Sequence, residues 1–229
     1  MATLEQLRNR ILAKVSDGTI TNPTVAQVND QINSTIDFFE TVPFWFNQDS
    51  ASLTCTVGNK VLSTGIPTDF LQFKQDNPLV LLDSDVRYSL IHIKNDEFDA
   101  LDVGGSGLPR WFTYRNGEIQ LYPYPEQAYQ VTLYYIKKYP DLETPDDDAE
   151  TNDFLEHASR LIEYKTLADI FRDYRFDEEK AAIYDGGVAL KCRGGKVAGE
   201  LEMILNQTSS RTTSGRLTTE NIIDEYPNY

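Results

Sequence analysis

The sequence predicts an α+β protein: helical hairpins at both ends of the chain pack together, with an inserted antiparallel β-sandwich or small barrel between them. Three observations predict it. The hydrophobic period is helical over residues 4–39, falls to two between Leu53 and Tyr139, and turns helical again after Asn152. That order assigns 1–50 and 151–206 to one discontinuous helical domain, 51–140 to a β-domain, 141–150 to an acidic linker and 207–229 to an extended C-terminal arm. At 229 residues and 26.1 kDa, area scaling lets roughly 70% of the extended surface be buried, so a real core is available.

Leu4, Leu7, Ile11 and Val15 form the stripe of an amphipathic helix, opened by a Thr3/Gln6 capping box and closed at Gly18. A second stripe, Val25, Val28, Ile32, Ile36 and Phe39, follows Asn22-Pro23, where Asn suits the cap and Pro the first helical position; it ends before Pro43. These two helices are expected to pack as a hairpin. The aromatic group Phe38, Phe39, Phe44, Trp45 and Phe46 is expected to plug the helical layer onto the β-domain, because aromatic rings bury the most area per residue.

In the β region Leu53, Cys55 and Val57 alternate up to Gly58-Asn59, and Val61 begins a return strand. Trp111 to Tyr114 and Ile119 to Tyr122 flank Arg115-Asn116-Gly117-Glu118, whose Asn-Gly pair accepts the positive φ angles of a type I′ hairpin. Tyr129, Val131, Leu133 and Tyr135 alternate with Gln130, Thr132 and Tyr134 as a strand with two differently used faces, and one short helix is expected around Asp96 to Leu101.

The linker carries Asp141, Glu143, Asp146, Asp147, Asp148 and Glu150 and cannot enter a core. A third helix runs from Phe154 to about Tyr174 and a fourth is capped by Asp177, with Glu178 and Glu179 in its first turn. Gly186-Gly187 and Gly194-Gly195 each cost about 1 kcal/mol per Gly in a helix, yet Val188, Leu190, Val197, Leu201 and Ile204 sustain a stripe, so the fourth helix is expected to continue to Leu205 with weak points. Ser/Thr-rich Asn206 to Thr219 reads as an unstructured arm ending in the apolar anchors Ile222, Ile223, Tyr226 and Tyr229.

A net charge of −15 without a basic run repels nucleic acid rather than gripping it. Cys55 and Cys192 make no metal-ligand spacing and no disulfide framework, which favours a reducing compartment. Residues 1–10 lack the apolar stretch of a signal peptide and no run approaches a membrane span, so the chain is expected to be soluble and to stay where it is made.

Chemistry-bearing groups are few. His92 sits between Ile91 and Ile93 in a strand pattern and His157 on the polar side of the third helix; both read as structural. Asp146-Asp147-Asp148-Ala149-Glu150 starts like a calcium loop, but Thr151 stands where Gly is needed and His157 where a bidentate Glu is needed. Gly194-Gly195-Lys196 fails as a phosphate loop, with Leu190 at the first Gly position and Val197 at the Ser/Thr position. Asp83 with Asp85 would share one strand face for structural reasons. No catalytic residue, metal site or cofactor is expected. One binding alternative stays open: a β-domain that recognises a glycan or peptide through Tyr122, Tyr124 and Tyr129.

The helices Thr3 to Val15 and Thr24 to Glu40, then Leu108-Pro109-Arg110-Trp111-Phe112-Thr113-Tyr114, Gly117-Glu118-Ile119-Gln120-Leu121-Tyr122-Pro123-Tyr124-Pro125, Tyr129 to Tyr135, and a helical end with Arg172-Asp173 and Glu178-Glu179-Lys180-Ala181 follow one another in a recognisable order. The chain resembles the head-to-tail adaptor (connector) proteins of tailed bacteriophages, particularly short-tailed ones, over most of residues 3–205. The resemblance implies a non-enzymatic virion protein assembled in the host cytoplasm. It would form a homo-oligomeric ring, usually of twelve copies, between portal protein and tail or nozzle proteins, and pass DNA without specific binding. It also implies a portal-binding arm, here Arg216, Leu217, Ile222, Ile223, Tyr226 and Tyr229.

Overall fold

A computed structural model describes residues 2–16, 22–62, 65–101, 104–142, 150–186 and 195–211, with seven helices and ten strands among them. In chain order these are α1 (Leu4–Val15), α2 (Val25–Glu40), β1 (Gln48–Thr54), β2 (Phe70–Phe73), β3 (Leu79–Asp83), β4 (Val86–Ser89), β5 (Ile91–His92) and α3 (Asn95–Leu101). Then come β6 (Ser106–Gly107), β7 (Trp111–Arg115), β8 (Glu118–Tyr122), β9 (Tyr124–Pro125), β10 (Gln130–Lys137), α4 (Asp153–His157), α5 (Ser159–Asp173), α6 (Glu178–Asp185) and α7 (Lys196–Arg211). The chain is mixed α+β and divides into a helical unit, 1–47 with 139–229, and a β unit, 48–138.

In the helical unit α1 begins with the expected reciprocal box. Thr3 Oγ1 accepts from the Gln6 N–H at 3.3 Å, and Gln6 Oε1 accepts from the Thr3 N–H at 3.4 Å. Two of the orphan donors of the first turn are thereby satisfied. The stripe Leu4, Leu7, Ile11 and Val15 is fully buried, each side chain contributing roughly 1.5–3 kcal/mol by leaving water. The cap of α2 is Thr24, boxed with Gln27, and not Asn22; Pro23 therefore precedes the cap instead of opening the helix. Asn22 Oδ1 is used elsewhere, accepting from Arg175 Nη2 at 2.8 Å.

The long third helix is two helices. Ala158 leaves the helical region at φ −131° and ψ 21°, separating α4 from α5. The break accompanies a ring cluster in which Phe154 meets Phe44, Phe46 and Tyr139 at 5.1–6.0 Å. Phe39, Phe44 and Phe46 thus fill the helical unit's own core, whereas Phe38 is 52% exposed.

The fourth helix is also interrupted. Asp177 caps α6 as expected, its Oδ1 accepting from the Lys180 N–H at 3.0 Å. However, α6 stops at Gly186, which takes the left-handed conformation (φ +88°), and α7 starts at Lys196. The two glycines that flank 187–194 lie against each other: a Cβ on Gly195 would run into the Gly186 backbone. They are a backbone contact rather than weak points. At its other end α7 runs through 206–211, where an unstructured arm was expected, because Thr208 donates to Ile204 O (3.0 Å), Ser209 to Asn206 O and Ser210 to Gln207 O. Hydroxyls that read as loop formers are satisfied by their own helix.

In the β unit β10 is the central strand, antiparallel to β1, β2 and β3, with β4 beyond β3. Val131, Leu133 and Tyr135 are buried, on the alternation the sequence shows. A second sheet orders β5-β7-β8, and Phe112, Ile119 and Leu121 from it share one hydrophobic core with Leu79, Leu81 and Val131. The antiparallel expectation is not met throughout: β5 with β7 and β6 with β9 are short parallel pairs. Val61 makes a single bridge to Gln120 rather than a return strand, and Val57 is 59% exposed beside Gly58. The β7–β8 hairpin turns at Asn116 (φ +53°) and Gly117 (φ +80°), the type I′ pattern.

A second two-residue hairpin joins β3 to β4 through Ser84 (φ +47°) and Asp85 (φ +73°). Asp83 and Asp85 are consequently not alternating residues of one strand. Ser and Asp hold positive φ less readily than Asn and Gly. Ser84→Asn with Asp85→Gly is expected to raise the stability of the β unit by about 1 kcal/mol. The urea midpoint of the β unit checks this, and a lowered midpoint would contradict the turn assignment.

Candidate functional site

The last described turn of α7 is held by contacts from elsewhere in the helical unit. Trp45, after α2, donates its backbone N–H to Thr208 Oγ1 at 3.2 Å, and the Arg211 guanidinium carbon lies 3.8 Å from the centre of the Trp45 ring. His157, at the end of α4, packs on the same indole at 4.6 Å and on Phe46 at 5.5 Å. A cation stacked on an aromatic face contributes about 0.5–2 kcal/mol. These contacts pin the last described helical turn. The residues expected to form a portal-binding arm, Arg216, Leu217, Ile222, Ile223, Tyr226 and Tyr229, lie outside the described residues, as do Asp146, Asp147, Asp148, Lys191, Cys192 and Arg193.

Among the described residues the chemistry-bearing side chains are not brought together. His92 is exposed at the end of β5, 5.1 Å from the Phe112 ring. Among the described residues no group of three His, Cys, Asp or Glu side chains is placed to hold a metal ion. Tyr129, one of the three tyrosines considered for ligand stacking, is buried (2% exposed) and donates its hydroxyl to Glu126 Oε1 at 3.3 Å. Tyr122 stacks at 6.0 Å on Trp111 of the neighbouring strand. The tyrosines do not form one exposed platform.

Perturbed groups serve the fold. Burial pushes the Asp169 carboxyl up, against the opposing pull of Lys165 at 2.7 Å and Arg172 at 3.2 Å, and Gln31 donates to its second oxygen. The hydrogen bond from the Lys180 N–H holds the Asp177 carboxyl below its usual range, the signature of its capping role. Burial raises the Tyr135 hydroxyl, which donates to Asp69 Oδ1 at 3.0 Å. Lys196, from the failed phosphate motif, sits over the Tyr184 and Tyr164 rings of its own chain at 4.6 and 5.5 Å.

Cys55 is a free, buried thiol whose pKa is pushed up to about 12 by burial. A thiolate is the reactive form, so a Cys192→Ser variant is expected to show no thiol titratable by an aromatic disulfide reagent at pH 8 until it is unfolded. Rapid labelling of the native variant would contradict the burial of Cys55.

Sequence reasoning missed the Trp45–Thr208–Arg211 root because its parts lie at opposite ends of the chain. Within the sequence, the only signal was Trp45 itself, an aromatic placed just past a helix. The SU10 adaptor protein family model matches residues 2–216, and the chain belongs to that family of bacteriophage head-to-tail adaptors. It is a structural virion component, and its family implies interaction with portal and tail proteins. Comparison with curated proteins finds none that matches. No helix among the described residues is long and apolar enough to cross a membrane.

Proposed function

We propose that this protein forms the ring between portal and tail and continues the DNA channel, with twelve copies as in the adaptors it resembles. The adaptor match over residues 2–216 carries the reading. The pinned end of α7 supports a C-terminal arm, residues 212–229, that reaches the portal through Arg216, Leu217, Ile222, Ile223, Tyr226 and Tyr229. In the same reading the two sheets of the β unit form a sandwich, and the helices at both chain ends pack as hairpins.

Charge gives the ring two properties. Each copy carries −15, so closure needs partner contacts to offset self-repulsion and the isolated chain is a monomer or weak oligomer. A lumen with excess Asp and Glu lets DNA pass, since every inward Lys or Arg would gain counterion-release energy by holding a phosphate.

Deletion of 212–229 tests the arm. The shortened protein should keep its far-UV circular dichroism and lose attachment to purified portal rings by roughly tenfold or more, because apolar anchors can offset the ordering entropy of a segment only against a partner. Unchanged attachment would remove the arm from the contact. Failure of the full chain to attach at all would contradict the portal reading.

A further inference from the structure

We propose that Phe176 is a preformed knob for a second protein, one that presents an apolar pocket edged with Lys and Arg. The choice of probes below rests on the adaptor reading. Phe176 lies between α5 and α6 and is 84% exposed. Its φ is +53°, the left-handed region where a Cβ crowds the following carbonyl and where helix ends ordinarily place Gly. Both features cost the isolated protein free energy: an aromatic ring is left in water and the backbone beneath it is strained.

Neighbouring residues keep the knob from folding back. The Asp177 N–H donates to Phe171 O at 2.9 Å and the Arg175 N–H to Ile170 O at 3.2 Å. Arg175 is buried, its Nη2 donating to Val15 O and to Asn22 Oδ1. On the other side the Asp177 carboxylate is committed to capping α6. Two anchored residues therefore bracket one projecting ring, so little backbone entropy remains to be lost on docking, and only the two side-chain torsions of the ring must be fixed. Tyr174, 37% exposed, adds apolar surface close by in the chain.

The surrounding charge selects the partner. Asp173, Glu178 and Glu179 are exposed carboxylates, whereas Lys180 is drawn to Asp177 at 3.2 Å and Arg172 to Asp169 and Asp185 at 3.2 and 2.9 Å and, more distantly, to Glu178 at 3.9 Å. An acidic rim around an apolar centre complements a pocket with a basic rim. It repels a second copy of a chain that carries −15.

The test uses the full chain as wild type, Phe176→Gly and Glu178→Lys/Glu179→Lys, against purified portal protein and purified tail protein immobilised separately. Phe176→Gly should raise Tm by roughly 2–4 °C as the strain is relieved and yet weaken binding to one of the two proteins by roughly tenfold or more. The charge-reversed variant should weaken the same binding at low salt and much less at high salt. Phe176→Gly that binds both proteins like wild type, or that lowers Tm, would overturn the proposal. A loss seen only in sedimentation of the chain alone would make the occupant a second copy and would also overturn it. Wild type binding neither protein would instead strike the adaptor reading.

Discussion

Replacing Gly195 by Ala is expected to destabilise the helical unit by roughly 3 kcal/mol, at the upper end of what overpacking costs. The added methyl would run into the Gly186 backbone, and backbone cannot rotate aside as a side chain can. The start of α7 must then separate from the end of α6, loosening Val197 and Leu201 from the core that α7 shares with α1, α2 and α5. Gly186→Ala should cost less, about 1–2 kcal/mol, from the positive φ and a 3.0 Å approach to Ala198 Cβ. Urea unfolding followed by far-UV circular dichroism checks the order of the two variants. If Gly195→Ala unfolds at the wild-type midpoint, the two glycines do not touch.

Removing both Arg10 and Lys14 is expected to cost about 3–4 kcal/mol, more than the two single losses added together. The Glu163 side chain on α5 is 4% exposed; Arg10 Nη1 reaches its Oε2 at 3.2 Å and Lys14 Nζ its Oε1, both from α1. With either cation left, the buried carboxylate stays compensated, and since both cations are about 40% exposed each single loss should be near 1 kcal/mol. Without either, a charge remains in the core with no counter-ion. A double-mutant cycle on the urea midpoint reads the excess directly, and strict additivity would mean that Glu163 is served by other partners.

These two sites also mark how far the sequence could be read. The capping box at Thr3, the Asn116-Gly117 hairpin and the alternation of β10 are local, so propensity and spacing reveal them. The closure at Gly186 and Gly195 is not local: two glycine pairs in a helical stripe look like weak points until the backbones are seen to meet. The break at Ala158 and the left-handed Phe176 go against the preferences of their own residues and are imposed by tertiary contacts. In α7, Thr208 to Ser210 carried loop chemistry in the sequence and helix-backbone hydrogen bonds in the fold, which is why the root of the arm was read as part of the arm. The adaptor family was legible from the order of elements and the proline-punctuated strands; the Trp45–Arg211 anchor was not, since it joins distant segments.

In the proposed reading this adaptor closes a ring between portal and tail. Cryo-electron microscopy of the intact head-to-tail junction tests it most directly. The account predicts a ring of this chain under the portal, twelve copies strong, with residues 212–229 ordered against portal subunits and a lumen dominated by Asp and Glu. A junction in which this chain is absent, or in which it lines the channel mainly with Lys and Arg, would contradict it.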